Sequence, residues 1–356
     1  MFSSTSSIIV FALGLATSAS AGLTLSLSGA DAVHDVSTFA VDATLTNTGP
    51  DALKLLRDPH TLLSAFPGSA KKFHVRNSEG QSPEFNGAFV KYSSEVAKSR
   101  HSAVKVLQPG ESITVTHNLG RSYNFTSTGE SEYDVHPKTS FSVVDSDGQV
   151  KTVNATVVNT DAKLQTRIVG GRLVLPRDYN GMRRRAGYNE CSSDEKDLID
   201  AGIKAAQKYA QNASIYLNKT TKATPRFETW FGKYSTAHHK NVTTHFNNML
   251  KHPYKSYTYD CTPCEDDLAD AFAYVYPDEI STIHLCGSFW TANATGTDSR
   301  GGTLVHESSH FTLIAGTDDH AYGHELAKEL ALNNTAFAIM NADSHEYFAE
   351  NDPALK

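Results

Sequence analysis

Residues 301–323 read GGTLVHESSHFTLIAGTDDHAYG, and the H-E-x-x-H within them constrains the fold more than any other feature. His306 and His310 are four apart. On a helix they lie on one face, one turn apart, where both imidazoles can reach one ion; on a strand the same spacing shares a face but stands them roughly 13 Å apart. Leu304, Val305 and Phe311 surround them, so the helix has an apolar, inward side. Glu307, next to the first histidine, is placed to take a proton from a water that a metal has acidified. A catalytic zinc takes three protein ligands and leaves a fourth position for water, so a third ligand must come from elsewhere. The H-x-x-G-x-x-H continuation fails, because Leu313 and Gly316 fall where it needs glycine and histidine. Glu325 and Glu329 in HELAKELA, or Asp318 and Asp319 in a loop framed by Gly316 and Gly323, all remain open on spacing.

The chain around this segment changes character near residue 186. Residues 22–180 alternate apolar and polar side chains in short runs: LTLSLSG, TFAVDATLTNTG, SITVTHNL, YNFTST, FSVVDSDGQVKTVNATVV and RLVLPRD. Turn signals such as N-T-G-P and D-S-D-G separate them, the pattern of an all-β, antiparallel sandwich-like domain. No cysteine and no His/Glu/Asp motif occurs there, so this half shows no chemistry of its own. From 187 the period becomes helical. Ser192 and Glu195 form a capping box, and Pro225 stands at a first helical position. AFAYVYP and STIHLCGSFW read as a hairpin ahead of the H-E-x-x-H helix, which makes this half an α+β domain.

Three arginines, Arg183–Arg185, mark the boundary and suit a dibasic-specific processing protease. Charge divides there too: residues 1–185 carry a net +3 and residues 186–356 a net −10, so the halves attract. At the start, SSIIVFALGLA followed by A-S-A at 19–21 reads as a secretory signal, too short to span a bilayer. Cys191, Cys261, Cys264 and Cys286 all lie in the second half, and an even count in a secreted chain favours two disulfides. Cys261 and Cys264 form a C-x-x-C, which leaves a redox or structural-zinc role as an alternative. Seven N-x-S/T sequons, from Asn124 to Asn333, accord with secretion and glycosylation. An acidic second half without a basic stripe argues against nucleic-acid binding, and no segment is apolar and long enough to be a membrane span. A monomer is expected.

H-E-x-x-H followed by G-T-x-D-x-x-Y-G resembles the aspzincin metalloendopeptidases, the deuterolysin group. YNECSS, ATPRFETWFG, FAYVYP, LCGSFW and MNADSHEYFAEN extend the likeness to the fungal peptidyl-Lys metalloendopeptidases within that group. The resemblance implies a zincin-like fold for 186–356 and one Zn2+ held by His306, His310 and Asp319, with Asp318 on the variable position. It implies Glu307 as general base and Tyr322 as the hydroxyl that stabilises the developing oxyanion. It further implies cleavage on the amino side of lysine, with Asp343 and Glu346 reading the lysine at P1′; Glu350 lies in the same acidic tail. Cys191–Cys261 and Cys264–Cys286 are the implied disulfides, although C-T-P-C departs from the C-x-C of the group. The implied precursor is a signal peptide (1–21), a β-rich propeptide (22–185) that masks the site and assists folding, and a catalytic domain (186–356). The propeptide holds no cysteine, so it cannot block zinc with a thiolate, and its blocking residue is not legible. A broader, deuterolysin-like specificity is the alternative reading.

Overall fold

The computed structural model describes residues 22–66, 70–176 and 187–356. The expected signal segment, the arginine run and the start at Ala186 lie outside them.

Residues 22–176 are built on three four-stranded sheets. Leu23–Gly29, Ala40–Asn47 and Ser112–Asn118 form one antiparallel ladder, and in Ala40–Asn47 every second side chain is buried. That alternation is the period-2 pattern of a strand with one covered face. Phe73–Asn77, Glu132–Pro137 and Leu164–Ile168 form the second, and Val150–Asn154, Ser140–Val144, Leu53–Leu56 and Val104–Leu107 the third. Two short edges depart from the antiparallel expectation: Thr156–Val157 pairs parallel to the first strand, and Ala32–Val33 parallel to Leu164–Ile168. The stretch RLVL alternates as a strand would, yet residues 172–175 are irregular. Its carbonyl and amide groups serve single contacts instead, such as Val36 N to Arg172 O and Phe125 N to Leu173 O. Leu25, Val41, Phe39, Phe125, Tyr133 and Phe141 centre the apolar core of this half.

The second half is α+β. Helix Ser193–Lys219 starts at the capping box, with Ser192 and Glu195 bonded reciprocally. Helix Pro225–Phe231 begins on Pro225, and helix Thr236–Lys251 follows. The H-E-x-x-H segment is helix Arg300–His310, every residue of which is buried. Ser299 caps it by accepting from Gly302 N. Gly302 lets the helix approach its neighbour, since a Cβ there would stand 2.0 Å from the Glu350 carboxylate. Helices Gly323–Asn333 and Ala342–Glu350 complete the half.

A five-stranded sheet carries the helices. Its order is Gly187–Asn189, Thr258–Asp260, Thr282–Leu285, Ala273–Val275 and Phe89–Lys91. Ala273–Val275 and Thr282–Leu285 form the expected hairpin, although Gly287–Thr291 beyond it turns helical. The last strand comes from the first half of the chain. It closes an edge that would otherwise present unpaired amides and carbonyls. Cys191–Cys261 and Cys264–Cys286 are bonded, with Cα separations of 5.0 and 5.5 Å. Each cysteine of the C-x-x-C thus pairs elsewhere, which removes the redox and structural-zinc alternatives. No helix among the described residues is long and apolar enough to cross a membrane.

Candidate metal centre and its acidic pocket

Helix Arg300–His310 delivers the two imidazoles, and the loop after it delivers a carboxylate. His306 Nε2 and His310 Nε2 each lie 3.4 Å from Asp319 Oδ1. Both histidine side chains are fully buried, and Asp319 is 6% exposed. His306 Nε2, His310 Nε2 and both Asp319 carboxylate oxygens have no hydrogen-bond partner among the described residues. Buried polar atoms are rarely left so, because each costs its lost hydration. Three converging donors of the N, N, O type fit one tetrahedral zinc with a position to spare.

The outer nitrogens are already engaged. His310 Nδ1 is 2.9 Å from the Thr317 carbonyl, which can only accept, so Nδ1 carries the proton and Nε2 keeps its lone pair for a metal. His306 Nδ1 lies 2.8 Å from Asp343 Oδ1. The loop 316–323 is held just as firmly. Gly316 and Gly323 both take positive φ, 59° and 79°. Asp318 donates and accepts through its backbone to Met340 and Ala342, and its carboxylate accepts from Asp319 N at 2.8 Å. Asn341 Oδ1 accepts from His320 N and Ala321 N at 2.9 and 3.0 Å, while its Nδ2 donates to the Ala321 carbonyl. Asn341 stands at the N-cap of helix Ala342–Glu350 but caps none of its amides; beyond the loop, its Nδ2 also donates to Ser344 Oγ at 3.2 Å.

Of the residues open on spacing, Glu325 and Glu329 are exposed on helix Gly323–Asn333, with Glu325 paired to Lys328. Asp318 supports Asp319 from outside the cluster. Glu307 faces the metal cluster's surroundings from the buried side. Burial pushes its carboxyl up to about 7, against the pull of His306 and His310. Tyr322, three residues after Asp319, stacks on His60 with ring centroids 3.8 Å apart.

A second acidic cluster shares His306. Asp343 and Glu346, one turn apart on the last helix, are completely buried and both face His306 Nδ1. Asp343 Oδ2 also accepts from Gly323 N at 2.6 Å. Burial works against ionisation of Asp343, yet Lys91 and His306 hold its carboxyl at about 2; burial raises Glu346 instead. Sequence reasoning missed a third carboxylate. Asp298, at φ 50°, sits just before the cap of the motif helix and accepts from Tyr347 Oη at 3.0 Å. The positive φ that marks it is visible only in the folded chain; in the sequence, D-S ahead of a helix reads as a cap and no more.

Lys91, from the first half, fills this pocket. Its Nζ is 2.7 Å from Glu346 Oε2, 2.8 Å from Asp298 Oδ1 and 3.4 Å from Asp343 Oδ1. Phe272 and Tyr347 wall it, with ring centroids 5.6 and 5.1 Å from the ammonium. The expectation that the first half carries no chemistry is therefore corrected: it contributes Asp58, His60, Phe89 and Lys91 to this region. Nothing in the pattern around KYSSE marks Lys91, because its partners lie more than 200 residues away in sequence.

A family model described as lysine-specific metallo-endopeptidase, of the aspzincins, matches residues 216–350. A peptidyl-Lys metalloendopeptidase of Armillaria mellea is 47% identical, with 99% of each chain covered. An extracellular protease of Aeromonas hydrophila is 34% identical over 88% of each chain. A solved zinc peptidase from Grifola frondosa is 50% identical; the match covers 47% of this chain and all of that one, with a TM-score of 0.45. Full-length likeness of that degree, around a buried His-His-Asp cluster, means that the chain belongs to the peptidyl-Lys metalloendopeptidases of the aspzincin family and is a metalloendopeptidase.

Proposed function

We propose that this chain is the precursor of a secreted zinc endopeptidase that hydrolyses peptide bonds on the amino side of lysine. The observation that carries the reading is the junction at His306: three orphaned metal donors on its Nε2 side, and a buried carboxylate pocket holding an ammonium on its Nδ1 side. His306, His310 and Asp319 would hold one Zn2+. A zinc ion there would acidify a water and polarise the substrate carbonyl.

The chain's own residues do the rest. Glu307, raised toward neutrality by burial, takes the proton of the attacking water and passes it to the departing amide nitrogen. Tyr322 supplies a hydroxyl to the oxygen on which negative charge develops, an interaction worth most in the transition state. Asp343 and Glu346 pair the P1′ ammonium, which leaves water only if compensated. A lysine suits such a pocket as a compact point charge, whereas a guanidinium needs a planar fork.

In this reading residues 1–21 are a signal peptide, 22–185 a propeptide that assists folding and masks the site, and 186–356 the catalytic domain, released by a dibasic-specific protease after Arg185. Two disulfides, seven sequons and an extracellular relative support secretion. Metal analysis of the processed enzyme tests the core of it: one zinc per chain is expected, and Glu307→Gln should keep that zinc while losing peptidase activity. A processed enzyme that retains full activity without metal would end the reading.

A further inference from the structure

We propose that Phe89–Lys91 lies in the substrate cleft as an uncleaved substrate mimic, with Lys91 as resident ligand of the lysine pocket and Asp298 as its third reading carboxylate. The inference rests on the lysine-specific reading above and gives the masking segment a residue and a pose.

The strand runs antiparallel to Ala273–Val275, with Lys91 opposite Ala273, Val90 opposite Tyr274 and Phe89 opposite Val275. That edge is where an extended peptide would add itself by backbone pairing. Hydrolysis on the amino side of a lysine makes the lysine's own backbone nitrogen the leaving group, and that nitrogen needs a proton. Lys91 N donates to Glu307 Oε1 at 3.2 Å, so the proposed proton carrier already touches the atom it would serve. The ammonium sits among Glu346, Asp298 and Asp343, fully buried. Phe89 stacks on His310 with centroids 4.5 Å apart and covers that metal-facing ring. Backbone, side chain and flanking ring together place Val90–Lys91 where the bond to be cut belongs.

The Val90 carbonyl is held elsewhere. It accepts from His60 Nε2 at 2.9 Å, and His60 Nδ1 is braced by Asp58 Oδ1 at 2.7 Å. The same His60 ring lies on Tyr322. One histidine of the first half therefore occupies both the oxygen that would be polarised and the tyrosine that would stabilise it. A salt bridge that served only to join two halves would not need to meet Glu307, His310 and Tyr322 at once. Interfaces gain little stability from burying an ammonium with three carboxylates in place of apolar groups.

The test uses the intact, unprocessed chain. Brief acylation with an N-hydroxysuccinimide ester, followed by peptide mapping, should leave Lys91 at least about 100-fold less modified than Lys151, whose side chain is 66% exposed. Equal modification overturns the proposal without any variant. Next, Lys91→Met and Lys91→Ala in the unprocessed chain should raise turnover of a quenched reporter with one Xaa-Lys bond by about tenfold or more over the parent. A processed parent that fails to cut the reporter overturns the lysine reading itself. A processed parent that cuts it, beside unprocessed Lys91 variants as silent as the parent, overturns the mimic alone. So does accumulation of a Val90–Lys91 cut in the unprocessed parent, because the segment would then be a substrate. In the processed enzyme, Asp298→Asn should raise KM for the lysyl reporter about tenfold with kcat nearly unchanged; an unchanged KM removes Asp298 from the pocket.

Discussion

Two charged clusters meet at His306. The metal cluster draws every member from residues 306–319, on one helix and the loop after it. The lysine pocket draws on Asp298, on Asp343 and Glu346 at the far end of the chain, and on Lys91 from the other half. The first leaves its inner atoms without hydrogen-bond partners among the described residues; the second is filled by one ammonium, within 3.4 Å of all three carboxylates. Local chain geometry can hold a few donors in readiness for an ion. A pocket for a buried ammonium must be assembled from distant elements, because each carboxylate in it repels the others until a cation arrives.

The largest effect is expected where the clusters share a task. Glu307→Gln should cut kcat by about 10²–10⁴-fold, measured on a lysyl peptide, while zinc content stays at one. Activity near the parent level would remove Glu307 from the chemistry. Next come the adjacent aspartates. Asp319→Ala should lose the metal on dialysis, whereas Asp318→Ala should retain it, because the Asp318 side chain accepts from an amide of its neighbour and stands outside the donor cluster. Metal content after dialysis decides, and equal loss in both would contradict the assignment of the third ligand.

The pocket residues should separate too. Asp343 touches His306 as well as Lys91. Asp343→Ala should therefore weaken metal binding about 10–100-fold in addition to lysine preference. That sharpens the sequence expectation, which gave Asp343 to lysine alone. Glu346→Gln should lose preference for lysine with far less effect on metal; a competitive chelator titration beside a peptide-library digest tells the two apart. The smallest effect concerns Glu350, next to Glu346. Burial and then the Glu346 charge raise its carboxyl from 4.5 to about 9, with Ser299 donating to it. Its folded form keeps a proton that the unfolded chain releases. Stability is thus lost progressively as pH rises from about 4.5 to about 9. Glu350→Gln should flatten that slope, read as Tm against pH; a variant with the parent's slope would refute it.

What the sequence made legible follows the same division. The His306–His310 spacing, the Ser192–Glu195 capping box, Pro225 and the glycines framing 316–323 are local, and each stands in its expected element. Alternation located Leu23–Gly29, Ala40–Asn47, Ser112–Asn118 and Ser140–Val144, but it missed the sheet of Phe73–Asn77, Glu132–Pro137 and Leu164–Ile168 and flagged RLVL, which has no ladder partner among the described residues. Pairing is decided by what lies alongside, and periodicity alone does not carry that. Lys91 was illegible for the same reason: one lysine in a short strand has no spacing signature, and its meaning comes from carboxylates brought to it by folding. Asn341 carries no reading of its own in the sequence, and only the tertiary structure reveals that its amide secures the loop 316–323.

The most direct test of the central claim is cleavage mapping by mass spectrometry. A protein mixture is digested with the processed enzyme, with and without a zinc chelator. New N-termini should begin with lysine almost throughout, vanish with the chelator and return with zinc. New N-termini without lysine preference, or digestion that continues in the chelator, would contradict the claim.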